Sequence, residues 1–99
     1  MKLAFIVYYE RVDAQVMSIL KSLNIDYYTR WDNVKGRGHE TEPHIGLGGF
    51  GRMNTALMIA FDDELPLTSL IAAIIEANAQ VRRADERIRL FQVPLERTV

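Results

Sequence analysis

Apolar and polar positions along the chain follow two different periods, and the switches between them mark its elements. Leu3 to Tyr9 is a short apolar run rich in β-branched and aromatic side chains, which predicts a strand. Val12, Val16, Met17, Leu20 and Leu23 then recur at helical spacing, predicting a helix over about residues 11–23 with Asn24 as its stop. Tyr27 to Val34 carries Tyr27, Tyr28, Thr29, Trp31 and Val34 and reads as a second strand. Thr55 to Phe61 is apolar throughout and predicts a third. Asp62 and Asp63 offer an N-cap and Pro66 suits a first helical turn. Leu67, Leu70, Ile71, Ile74 and Ile75 follow at i, i+3, i+4, i+7 and i+8, predicting a helix that fades between Asn78 and Val81. Ile88 to Val93 is a last strand, closed by Pro94.

The order β-α-β-β-α-β predicts an α+β fold of ferredoxin-like type, one domain over residues 1–99. Right-handed crossovers would give a four-stranded antiparallel sheet with two helices on one face. A sheet with one wet face should alternate apolar with polar residues. The first strand instead sets Leu3, Phe5 and Val7 on one face and Ala4, Ile6 and Tyr8 on the other. The third sets Leu57, Ile59 and Phe61 against Ala56, Met58 and Ala60. Both are central strands in this topology, and both are apolar on both faces. At roughly 25 cal/mol per Å², leaving one such face in water forfeits several kcal/mol. The pattern predicts a homo-oligomer packed through the face away from the helices.

Composition narrows the function classes. An apolar fraction of 48% suits a folded domain. A net charge of −1, from 12 basic and 13 acidic residues, gives no electrostatic reason to expect nucleic acid or an anionic membrane. The absence of cysteine excludes disulfides, a thiolate nucleophile and a cysteine-based zinc site. The opening apolar run meets Glu10 and Arg11 at once, so it reads as a buried strand rather than a signal peptide. No stretch reaches the roughly 18 apolar residues of a membrane span, so no membrane insertion is expected and the expected location is the cytoplasm.

Residues 35–52 hold all six glycines, both histidines and one of the three prolines. A loop that long in so small a domain points to function or mobility. Gly46-Leu47-Gly48-Gly49-Phe50-Gly51 spells G-x-G-x-x-G, but a loop precedes it and a strand follows. A dinucleotide site needs the reverse context, so the motif reads as a flexible or tightly turning loop. His39-Glu40-Thr41-Glu42-Pro43-His44 gathers imidazoles and carboxylates, with His39, Glu42 and His44 as candidate ligands for a divalent metal. A solvated polar loop is the plainer reading of the same residues. Lys35-Gly36-Arg37-Gly38 sets two cations among glycines, a turn able to present charge and backbone N–H groups to an anion. Arg82, Arg83, Arg87 and Arg89 add basic residues diluted by Asp85 and Glu86. Ile45, Leu47 and Phe50 are apolar in an otherwise polar stretch and are candidates for docking on a partner or a neighbouring subunit.

Catalysis needs a nucleophile, a base and an orienting group in mutual reach. Ser18 and Ser69 fall within predicted helices without a local base, and the histidines fall in the loop. The expectation is a protein that is not an enzyme.

The segment Tyr28-Thr29-Arg30-Trp31-Asp32-Asn33-Val34-Lys35-Gly36-Arg37-Gly38, the closing Arg89-Leu90-Phe91-Gln92-Val93-Pro94 and the element order together resemble P-II proteins and their shorter P-II-like relatives. The resemblance implies a homotrimer with nucleotide-sized clefts between subunits. It further implies a mobile loop that contacts a target protein such as a transporter or enzyme, and signalling rather than chemistry. By position, Thr29, Lys35, Gly36, Arg37 and Gly38 would face the cleft, and Arg89 would stand where the family places a phosphate-facing lysine. The turn Ala84-Asp85-Glu86-Arg87 lacks the glycines with which the family wraps phosphates, the loop has no tyrosine for uridylylation, and the chain reaches Val99 without the arginine-bearing segment of the ATP binders. A smaller effector therefore fits better: AMP, a cyclic nucleotide, an anion or a divalent metal. The metal-tolerance CutA proteins share this fold and trimer and supply the alternative, a divalent-metal-binding protein using His39 and His44.

Overall fold

The computed structural model describes residues 1–37 and 53–99. Its elements are β1 (Lys2–Tyr9), α1 (Asp13–Ser22), β2 (Thr29–Val34), β3 (Asn54–Phe61), α2 (Glu64–Ala79) and β4 (Arg89–Pro94). The strands form one antiparallel sheet in the order β2-β3-β1-β4, which is the ferredoxin-like βαββαβ arrangement the periods predict.

Local chemistry sets the boundaries. A 3₁₀ turn, Glu10–Val12, takes the first residues assigned to the helix, and the Glu10 N–H donates to the Met53 carbonyl at 3.0 Å. Asn24 ends α1 as expected: with φ at 57° it turns the chain left-handed. The Asn24 N–H then reaches the Lys21 carbonyl and the Ile25 N–H reaches Leu20, at 3.1 and 2.9 Å, which closes a Schellman motif. Ile25 is buried, completing the motif's apolar contact. β2 starts at Thr29, two residues later than the pattern suggests, because its ladder to β3 begins at Thr29↔Met58. Tyr27 instead sets its ring edge-on to Phe61, with centroids 6.0 Å apart.

The alternation of β1 and β3 separates two layers. Ala4, Ile6 and Tyr8 of β1 and Leu57, Ile59 and Phe61 of β3 are buried with Val16 and Leu20 of α1 and Leu67, Leu70, Ile74 and Ala77 of α2. Ile75, placed on the apolar stripe by its spacing, is 65% exposed. At 100° per residue it lies beyond the core-facing arc. On the other layer, register aligns Thr29, Met58, Phe5 and Phe91 in one cross-sheet row and Trp31, Ala56, Val7 and Arg89 in the next. No helix among the described residues covers this face. Leu3, Phe5, Val7 and Met58 remain half-buried, while Trp31, Phe91 and Val93 are 46, 53 and 41% exposed.

Candidate functional site

The segment 35–53 leaves and re-enters the sheet at one end, and that end is braced. Pairing of β2 with β3 runs through Trp31↔Ala56, slips, and resumes at Val34↔Asn54. Asn33, with φ at 58°, absorbs the slip as a bulge. Gly36 then passes so close to the Asn54 side chain that a Cβ at this position would collide with Asn54 Nδ2.

Behind the bulge lies a polar network that the sequence pattern does not reveal. The Tyr8 hydroxyl donates to Asp13 Oδ1 at 2.6 Å, and Arg30 Nη1 donates to the same oxygen at 2.9 Å. Arg30 Nε and Nη2 reach Asp32 Oδ1 at 3.0 and 2.8 Å, and Thr55 Oγ1 lies 3.5 Å from that oxygen. Four elements therefore meet around one guanidinium, α1 and β2 through carboxylates bonded to it, β1 and β3 through hydroxyls on those carboxylates. Burial and the bond to Asp13 push the Tyr8 phenol well above its ordinary value. Burial works to raise the Asp13 carboxyl, but the hydrogen bonds from Arg30 and Tyr8 outweigh it and hold it low. Hydrogen bonding from Arg30 does the same for Asp32. The same hydrogen bonds brace the first turn of α1 against β2. The one sequence signal for the network is Arg30 and Asp32 two residues apart, the spacing that puts opposite charges on one strand face.

The proposed effector residues divide between two edges. Thr29 lies on the open face of edge strand β2, and Lys35, Gly36 and Arg37 continue from its end, with both cations exposed. Arg89 lies on the same face of β4, the opposite edge strand, paired with Val7. Three strand spacings, about 14 Å, separate β2 from β4. Within one chain the fold thus keeps Lys35, Gly36 and Arg37 adjacent beyond the end of β2, sets Thr29 at the strand's start about 20 Å away, and holds Arg89 on the opposite edge. Gly38, His39, Glu42, His44, Ile45, Leu47 and Phe50 lie outside the described residues. Among the described residues, no cluster of three His, Asp or Glu side chains is placed to hold a metal ion.

Two concavities flank the far end of α2, each of about 440 Å³. One, between α2 and β4, is lined by Ile71, Ile74, Ile75, Leu90 and Phe91. The other, between the starts of α1 and the turn after α2, is lined by Val12, Gln15, Gln80, Arg82, Arg83 and Glu86. In that turn Arg83 is paired with Asp85 at 3.1 Å, and residues 84–86 form a 3₁₀ turn. Asn78 fixes where the turn ends: its side-chain amide donates to the Ile88 carbonyl at 2.7 Å and its Oδ1 accepts from the Ile88 N–H at 2.8 Å.

No protein-family model matches the chain, and no curated protein sequence does. Solved structures do. CPII, a nitrogen regulatory PII-like protein from Thiomonas intermedia K12 bound to ADP, AMP and bicarbonate, superposes with a TM-score of 0.66 at 12% identity, covering 99% of this chain and 94% of that one. CPII from the same organism bound to ADP and bicarbonate gives a TM-score of 0.67 at 12% identity, covering 97 and 88%. Over nearly its whole length, this chain carries the fold of the P-II-like nitrogen regulatory proteins.

Proposed function

We propose that this protein is a P-II-like signalling regulator that assembles as a homotrimer and binds a small effector at the clefts between subunits. The observation that carries the reading is the division of the cationic residues between opposite sheet edges. Lys35 and Arg37 follow β2, Arg89 sits on β4, and the face between them is apolar, with no helix among the described residues against it. Packing that face against other copies supplies the burial the pattern calls for and brings the β4 edge of one subunit toward the β2 edge of the next. Thr29, Lys35, Gly36, Arg37, Gly38 and Arg89 then line one shared cleft. The PII-like neighbours carry ADP, AMP and bicarbonate, which favours an adenine nucleotide or a small anion as the effector.

The role is sensing rather than turnover, with the segment 35–52 contacting a target protein such as a transporter or enzyme through Ile45, Leu47 and Phe50. No helix among the described residues is long and apolar enough to cross a membrane, and a cytoplasmic location suits a metabolic sensor. Calorimetry with ATP, ADP, AMP, cyclic AMP and bicarbonate tests the reading. Binding of one of them without hydrolysis is expected, and its loss in Arg89→Ala and Arg37→Ala alike is expected of a shared cleft. No heat from any of the five overturns it. The same protein titrated with Zn²⁺, Ni²⁺ and Cu²⁺ tests the CutA-like alternative, which rests on the ligand-rich sequence from His39 to His44.

A further inference from the structure

The helix α2 is apolar on two opposite sides. Leu67, Leu70, Ile74 and Ala77 face the core. Leu65, Thr68, Ala72, Ile75 and Ala79 repeat at spacings of three and four on the other side, and all five are exposed, Leu65 at 75% and Ile75 at 65%. Glu64 and Glu76, the only charged residues among the helix's 16, are exposed and flank the stripe without entering it. An uncharged stripe at alternating spacings of three and four has the pattern of a helix–helix seam.

We propose that this stripe is a second self-association surface, occupied by α2 of another copy running antiparallel across a two-fold axis at Ala72. The residue order is complementary to itself in that arrangement. Leu65 falls opposite Ala79 of the partner subunit, Ala72 opposite the same residue of the other copy, and Thr68 beside the partner's Ile75, offset by one residue or about 1.5 Å. Each bulky side chain meets a small one, which close helix packing requires. Charge agrees with shape: Asp62 and Asp63 precede the helix and Arg82 follows it, all exposed, so antiparallel pairing sets Arg82 against Asp62 of the partner subunit. One such seam, about 24 Å long, buries less than a stable interface of about 1,200 Å², so pairing through single helices is weak and gains from several helices engaging together.

The chain lacks cysteine, which permits a direct test. Under mild oxidation, Ala72→Cys is expected to form a disulfide-linked dimer roughly tenfold faster than Lys21→Cys, an exposed position on α1. In sedimentation velocity at up to some hundreds of micromolar, the unmodified protein should reach twice the mass of Ile75→Glu, with circular dichroism confirming that both are folded. That ratio is two whether the dissociated unit holds one chain or three, so the test stands apart from the trimer. Asp62→Arg and Arg82→Asp should each weaken the doubling by roughly tenfold, and the double variant should restore it. Equal masses for the unmodified protein and Ile75→Glu overturn the proposal. So does cross-linking at Ala72→Cys no faster than at Lys21→Cys; the stripe then belongs to a different occupant.

Discussion

Arg30 Nη1 stands 2.9 Å from Asp13 Oδ1, joining the edge strand β2 to the first turn of α1, two elements with no backbone pairing between them. Both side chains are 29% exposed, so the pair is neither a free surface bridge nor a dry one. The same guanidinium holds Asp32 ahead of the bulge at Asn33, so one residue fixes both the seat of the helix and the root of the 35–53 segment. Arg30→Met removes both contacts while keeping the aliphatic stem. It is expected to lower unfolding stability by about 1–3 kcal/mol in urea denaturation. Amide shifts should move at residues 13, 33 and 34 as well as at the substituted site.

The network also predicts the pH profile. The Asp13 and Asp32 carboxyls are held below their unfolded value of about 3.9, so their contribution is complete above that pH and is lost as pH falls through the lower folded values. The Tyr8 phenol is raised above its unfolded value of about 10, so its contribution is complete below that pH and is lost as pH rises further. Urea midpoints measured across pH should therefore fall at both extremes. Asp13→Asn should flatten the acid arm, and Tyr8→Phe the alkaline one.

Gly36→Ala tests the loop root. The new Cβ must displace the Asn54 side chain, the flexible end of a residue at the start of β3. The expected cost is about 1 kcal/mol by thermal or urea unfolding. The effector affinity should drop by more than that stability loss accounts for, because Lys35 and Arg37 flank the substituted position.

The open sheet face makes the trimer testable from the other side. Phe91 pairs with Phe5 across β1 and β4 and is 53% exposed in the isolated chain, so a charge there leaves the core intact. Phe91→Glu should give a folded species at the 11.4 kDa mass of one chain by light scattering, while the unmodified protein gives three times that mass. Unchanged mass in Phe91→Glu would exclude this face as the trimer contact.

Element order was legible because each period depends on neighbours a few residues apart. The run from Leu3 and the repeat from Leu67 state their geometry locally, and Asn24 names its own left-handed turn. The uncovered face was legible as well, since β1 and β3 read as apolar on both sides. The network was not, because Tyr8, Asp13, Arg30 and Thr55 come together only after the sheet order is set. Ile75 misled for the opposite reason: an apolar residue at helical spacing looks the same whether it faces its own core or another molecule. The separation of Arg89 from Lys35 likewise follows from strand order, which the chain's linear sequence does not display.

Asn78 gives Ile88 both of the hydrogen bonds that a neighbouring strand would, and it does so from the last turn of α2. The entry of β4 into the sheet is thereby anchored to the helix, not to the intervening residues 80–87. A change at the exposed positions of that turn, and with it of the chemistry beside Arg89, therefore need not shift the register of β4.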